Sequence, residues 1–373
     1  MPGRWFSPSY AEAARKFGNA CDKIRENGHT IRHERLKLGL TGPDDEALAI
    51  DVAVVGNLES GKAVLSSSGI HGVEGYPGSA IQLAVMDDLA AKDSFTDYAV
   101  VFIHSVNPFG MAWWRRFNES NVDLNRNFLR LDEKYEGVPE GYHFVRKAIN
   151  PERPPARREP MFALRALWLI IRHGFNNLKQ WVAEGQYEDP KAIQFGGKEL
   201  EKGPVMIIDW LGEILVPIKQ LWAIDLHTGL GPSGHDTLLV PADLGEEKTA
   251  KLIELFPGHV EHLDSEKGVG YEIKGDIHQG LVSRFGDIDW TYVTQEFGTF
   301  KPVSVLKASR NENRWTQWGK YSSEKDAKSH WSRLKMLRTF NPDDAVWQEK
   351  VVGRGKIVFE TAVEDLLSAE GRI

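Results

Sequence analysis

The sequence predicts an α/β protein with a mixed, mostly parallel central sheet flanked by helices. Two observations carry that expectation. Short β-branched runs alternate with helical stretches along much of the chain, the pattern of strands connected by helices. Several of those runs also end in polar residues, as LWAIDLHTG and WTYVTQEFGTF do. In open α/β sheets, ligands bind at the carboxyl ends of the strands.

The elements follow in order. AEAARKFGNACDKIRE has helical spacing, and residues 1–45 read as a charged, helical N-terminal segment. LAIDVAVVG and KAVLSSSG are strand-like, separated by a turn over Gly56–Gly61. PGSAIQLAVMDDLA is a helix with Pro77 in its first turn. DYAVVFIHSVNP is a strand, and EEKTAKLIELF is a helix. Residues 130–220 break the rhythm. There ARREPMFALRALWLIIRHGFNNLKQWV reads as an amphipathic helix and GQYEDPKAIQFGGKEL as a loop, an elaboration packed near the cleft within a single 1–373 domain. Residues 324–373 read as a helical cap.

Composition bounds the function. Of 373 residues, 41% are hydrophobic and 27% charged, which excludes a disordered or fibrous chain. The net charge of −7 gives no reason to expect nucleic acid or an anionic membrane as partner. Cys21 is the single cysteine, so an intramolecular disulfide and an all-thiolate metal site are both excluded. No apolar stretch reaches transmembrane length and no signal-peptide pattern opens the chain, so a soluble cytoplasmic protein is expected.

Four segments carry the chemistry. In SSSGIHGVEGYPGS, His71 and Glu74 follow a strand within a glycine-rich turn. A catalytic zinc takes three N or O ligands and leaves one position open; these two supply a pair, although a surface turn with a solvated Glu is the plainer reading of that spacing alone. AIDLHTGLG offers His227 as the third ligand, with Asp225 placed to orient it or merely to cap a turn. RRFNESNVDLNRNF sets Arg115, Arg116, Asn125 and Arg126 in a dense polar stretch, suited to a carboxylate or an oxyanion, or simply a solvated basic loop. TYVTQEFGTF places Glu296 at the end of an apolar run, where partial desolvation would raise its pKa toward that of a general base.

Together, HGVE, RRFNESNVDLNRNF, DLHTG and QEFGT, in that order across Ile70–Thr299, resemble the motifs of the zinc carboxypeptidases and their relatives, aspartoacylase and succinylglutamate desuccinylase. The resemblance implies a sheet of eight strands, one zinc ion per chain, and hydrolysis of an amide-type bond in a peptide or an N-acyl amino acid. It matches His71, Glu74 and His227 to the zinc ligands and Glu296 to the general base. Arg116 matches the arginine that polarises the scissile carbonyl, with Arg115 as runner-up, and Asn125 with Arg126 matches the pair that grips a terminal carboxylate. A carboxypeptidase is the first expectation, an N-acyl amino acid deacylase the alternative, and a silent carboxylate-binding protein the third. Tyr271 and Tyr292 are candidates for a substrate-contacting tyrosine. Glu272 and Asp276 stand next in line should Glu296 not be the base.

Overall fold

The computed structural model describes residues 2–94, 96–263 and 273–368. Tyr271 and Glu272 lie outside them. The strands are β1 (Ile31–Thr41), β2 (Ala47–Gly56), β3 (Lys62–Ser68), β4 (Ala99–His104), β5 (Gln220–Gly229), β6 (Asp236–Val240), β7 (Val260–His262) and β8 (Asp289–Gly298). They form one eight-stranded sheet in the order β1-β2-β4-β3-β5-β8-β6-β7. The central pairs β4–β3, β3–β5 and β5–β8 are parallel, as is β6–β7 at the far edge. The remaining pairs run antiparallel. This is the mixed, mostly parallel sheet expected from the alternating pattern.

The helices are α1 (Tyr10–Glu26), α2 (Gly75–Ala90), α3 (Pro108–Trp113), α4 (Tyr142–Ile149), α5 (Pro160–His173), α6 (Phe175–Ala183), α7 (Lys202–Ile214), α8 (Glu246–Leu255), α9 (Ile277–Arg284), α10 (Pro302–Trp318), α11 (Glu324–Lys328), α12 (Trp331–Phe340) and α13 (Ala345–Ser368). β2, β3 and β4 are buried almost throughout, as strands covered on both faces must be. Their Val, Leu and Ile side chains join Phe17 of α1, Trp210 and Leu211 of α7, and Val358 and Ala362 of α13 in one main core. Of the C-terminal helices, α13 lies against α2, β3 and β5.

Two expectations need correction. The N-terminal 1–45 segment is helical only over Tyr10–Glu26; IRHERLKLGLT is the edge strand β1, paired antiparallel with β2. Its side chains are mostly half-exposed, so charged residues occupy it without penalty. The long helix expected in the elaboration is two helices, α5 and α6, broken at Gly174 with φ 79°. Within 130–220, the segments α4 to α6 have a small core of their own around Phe117, Tyr142 and Leu169. By contrast, α7 belongs to the main core, through Ile207, Trp210, Leu211 and Ile214.

Candidate metal centre

β3 ends at Ser68, and the chain then turns through Gly69 (φ 68°) into a single short turn, Gly72–Glu74, that leads into α2. Gly72 is required there: a Cβ would stand 2.1 Å from the Gly110 carbonyl carbon. That close approach lets the Gly72 and Val73 amides donate to the carbonyls of Arg116 and Arg115 at 3.1 and 3.0 Å. The His71–Glu74 turn is thus clamped to the loop that follows α3. Trp114 closes α3 in the left-handed conformation (φ 57°) and directs that loop back toward the turn.

The neighbouring strand β5 supplies the rest. His227 Nδ1 lies 3.1 Å from Glu74 Oε2, and His71 Nδ1 lies 3.0 Å from Glu74 Oε1. All three side chains are buried, and one ligand atom from each falls within a cluster no wider than 4.8 Å. The other nitrogen of each ring meets its own buried carboxylate. His71 Nε2 is 3.1 Å from Asp123 Oδ1, and His227 Nε2 is 2.6 Å from Asp225 Oδ2. Asp225 is held in turn by the Ser67 hydroxyl at 2.6 Å. Such pairing would leave both Nδ1 atoms available to a metal ion and make the imidazoles better donors.

The donor set of two imidazoles and one carboxylate, with carboxylates behind both rings, fits a zinc-type divalent cation. The electrostatics agree. Burial alone would raise the Glu74 carboxyl, but His71 and His227 hold it well below the usual carboxylate range. Burial opposes charge on His227, yet Asp225 and Glu74 hold its pKa well above the ordinary imidazole value. A field that stabilises an extra proton between these groups stabilises a metal cation that replaces it.

Glu296 stands on β8 directly across from His227 in the parallel register. Its Oε1 accepts from the Leu230 amide at 2.7 Å. Burial, and next to it the Glu74 charge, push its carboxyl up to about 7. Arg116 completes the cluster: its Nε donates to Asp123 at 3.0 Å, and its Nη1 lies 3.3 Å from Glu74. Its Nη2 is 2.7 Å from His71 Nε2. One ring nitrogen cannot serve Asp123 and Arg116 together; a metal-bearing His71 carries its hydrogen on Nε2 and donates to Asp123.

The other expected residues lie elsewhere or are already engaged. The Arg115 guanidinium turns to Glu312 at 3.0 Å, the Asn118 carbonyl and Asn121. It anchors α10 to the loop. Arg126 is likewise engaged within the protein. It is buried, its Nε and Nη2 donate to the Ala183 carbonyl at 2.9 and 2.5 Å, and its Nη1 donates to Asn125. The end of α6 therefore occupies the fork expected to hold a carboxylate. Asn125 uses its Oδ1 to accept from the Ile277 amide. Tyr292 is buried and donates to Asp243 at 2.8 Å, and Asp276 caps α9 through the His278 amide. The residue not singled out in the sequence is Asp123. It lies inside VDLNRNF two positions before Asn125, and the position of a carboxylate in that run was the available signal.

Comparison with known proteins places the chain. A family model described as "Protein of unknown function (DUF2817)" matches residues 6–354. The chain belongs to that family. No curated protein matches it. Among solved structures it is similar to carboxypeptidase A from Helicoverpa armigera, with 13% identity, TM-score 0.46, and 94% of this chain and 73% of that one covered. It is also similar to the murein-tripeptide amidase MpaA from Escherichia coli O157, at 18% identity and TM-score 0.38, covering 78% of this chain and 95% of that one. A succinylglutamate desuccinylase from Silicibacter sp. TM1040 aligns at 15% identity and TM-score 0.37 over 78% of this chain and 67% of the other. Among the described residues, no helix is long and apolar enough to cross a membrane.

Proposed function

We propose that this protein is a zinc-dependent hydrolase of amide bonds, with His71, Glu74 and His227 holding one metal ion per chain. The observation that supports it best is the convergence of two Nδ1 atoms on the Glu74 carboxylate, with each ring backed by its own buried Asp. When bound, zinc supplies a water whose pKa is lowered to about 7 and a Lewis acid beside the carbonyl. Glu296 is poised to take the proton from the attacking water and return it to the leaving amine. Arg116, whose side chain keeps 13% of its surface exposed, points its fork at the same cluster and stabilises the charge that develops on the carbonyl oxygen. Asp123 and Asp225 fix the imidazole orientations throughout.

The finer reading is a carboxypeptidase acting next to a free carboxylate. A second reading is an N-acyl amino acid deacylase; both substrate classes carry a carboxylate beside the scissile amide, so Arg126, with its fork on Ala183, does not separate them. One experiment separates these readings. Purified protein is assayed for bound metal and for hydrolysis of matched peptides, N-acyl amino acids and their amidated forms. The proposal expects near-stoichiometric zinc, lost from His71→Ala and His227→Ala, and turnover on one substrate class. Full zinc retention in both variants refutes the ligand set. Bound zinc without turnover on any substrate makes the protein a binding module.

A further inference from the structure

Helix α5 is apolar on both faces. Leu169, with Ile170 behind it, packs inward on the small core of the elaboration. On the opposite face Met161, Leu164, Leu167, Trp168 and Ile171 are each 55–77% exposed. A helix hydrophobic all round is expected to be covered all round, and five large apolar side chains on one short helix exceed scattered surface exposure. Between them this face carries Arg165 and Arg172 and no carboxylate. The Arg172 guanidinium lies 5.5 Å over the Trp168 ring.

Charge surrounds the same ridge. Residues 142–183 hold eight Lys and Arg against two acidic residues, a net charge of +6 in a chain whose total is −7. One of the two acids, Glu159, is already shared by Arg310 and Arg314. Among the described residues, neither Arg158 nor Arg165 is engaged in an ion pair. Both line a cleft of ≈ 340 Å³ together with Lys147, Arg153 and Met161. Met161 and Arg165 belong to the apolar ridge as well, so the cationic cleft and the ridge are continuous.

We propose that α5 and the basic cleft beside it form a docking surface for an anionic lipid bilayer. The apolar ridge would enter the acyl boundary, and the arginines would face lipid phosphates and acidic headgroups. The charge selects this occupant. A second copy packed through the same ridge would bring two arginine-bearing basic surfaces together, and like charges across an interface are unfavourable. A bilayer also accepts a convex ridge without a complementary groove, and the Trp–Arg pair suits its headgroup region.

The test is vesicle flotation of the full chain. The vesicles are phosphatidylcholine alone, or phosphatidylcholine with one part in three phosphatidylserine. Expected is flotation with the acidic vesicles only, reversed by high salt. Trp168→Glu with Ile171→Glu should abolish it. Arg158→Ala, Arg165→Ala and Arg172→Ala should each weaken partitioning about five-fold, the worth of one basic side chain near an anionic surface. These side chains are exposed, so circular dichroism of the variants should match the parent; the lipid and salt arms test the unaltered chain in any case. No flotation of the unaltered chain, or equal flotation on neutral vesicles, overturns the proposal. So does a concentration-dependent dimer that Trp168→Glu disrupts without any vesicle binding, because a second copy would then cover the ridge.

Discussion

The strand ends around His227 and the helix α5 depart from ordinary burial in opposite ways. At the strand ends Glu74, Asp123, Asp225 and two histidines are buried, each facing a partner of opposite character. On α5 large apolar side chains face outward, beside Arg165 and Arg172, which among the described residues are in no ion pair. Buried polar groups and exposed apolar patches are the two informative exceptions to hydrophobic-inside packing. The first kind survives because each charge is answered within the molecule. The second persists where the answering surface belongs to something else. On the two proposals above, the sheet serves chemistry and the elaboration serves location.

Breaking the strand-end side should produce the largest effects. Glu296→Gln is expected to keep its metal and its fold while kcat falls on the order of 10²–10⁴-fold, the worth of a positioned general base. Metal content measured beside steady-state rates checks this, and near-native turnover would place the base elsewhere. Arg126→Ala comes next. It removes a buried guanidinium from the Ala183 and Asn125 carbonyls and should cost about 3 kcal/mol in urea unfolding. If Arg126 only braces α6, the ratio of kcat/KM for a free acid to that for its amide will match the parent. A collapse of that ratio would restore it as a carboxylate clamp, one that rearranges when substrate binds.

Asp123→Asn and Asp225→Asn sharpen the same side. Each should weaken metal affinity roughly 10–100-fold while leaving the three ligands in place. Competition with a chelator reads this directly, and an unchanged affinity would deny either carboxylate its orienting role.

Much of this arrangement was legible beforehand, for reasons that differ by residue. His71, Glu74, His227 and Glu296 could be read because their positions depend on local turns and on where strands end. The fate of Arg126 could not, because its partner at Ala183 lies 57 residues away, in the elaboration. Strand β1 escaped because an edge strand tolerates the alternating charges of IRHERLKLGLT, which also suit a solvated helix. The outward face of α5 escaped because apolar residues on both sides of a helix do not say which side is covered. Whole-chain charge does not report local charge, since −7 averages over a +6 within residues 142–183.

The main core beneath the site gives a smaller, pH-dependent effect. His104 ends β4, is fully buried beside the Ser79 hydroxyl, and stacks on Phe17 at 4.7 Å. Burial lowers its pKa to about 4. The unfolded chain, with an ordinary imidazole pKa near 6.5, therefore binds the proton more tightly. Stability falls as pH drops through 6.5 toward 4, by about 2 kcal/mol between pH 7 and pH 5. Urea unfolding of the parent and of His104→Gln at both pH values isolates that contribution; an identical pH dependence would remove it. The smallest expected change is on the elaboration: Trp168→Glu with Ile171→Glu should shift stability by no more than about 0.5 kcal/mol, as exposed substitutions do. A much larger loss would mean that the α5 ridge is part of the fold and not a surface awaiting a partner.

The parallel pairing of β3 with β5 has a consequence for how the protein is made. His71 and Glu74 share one turn and can meet as soon as that turn closes, but His227 reaches them only when Ser67 and Asp225 stand side by side across β3 and β5. That junction closes a loop of more than a hundred residues, a slow event compared with forming a local turn. A nascent chain thus offers a metal ion only two of its three donors until the middle of the sheet has assembled. On the proposed ligand set, an ion would be captured by a nearly finished fold and would not template it in the manner of a zinc finger. Refolding should accordingly run at the same rate with or without added zinc, with the metal raising resistance to unfolding afterwards.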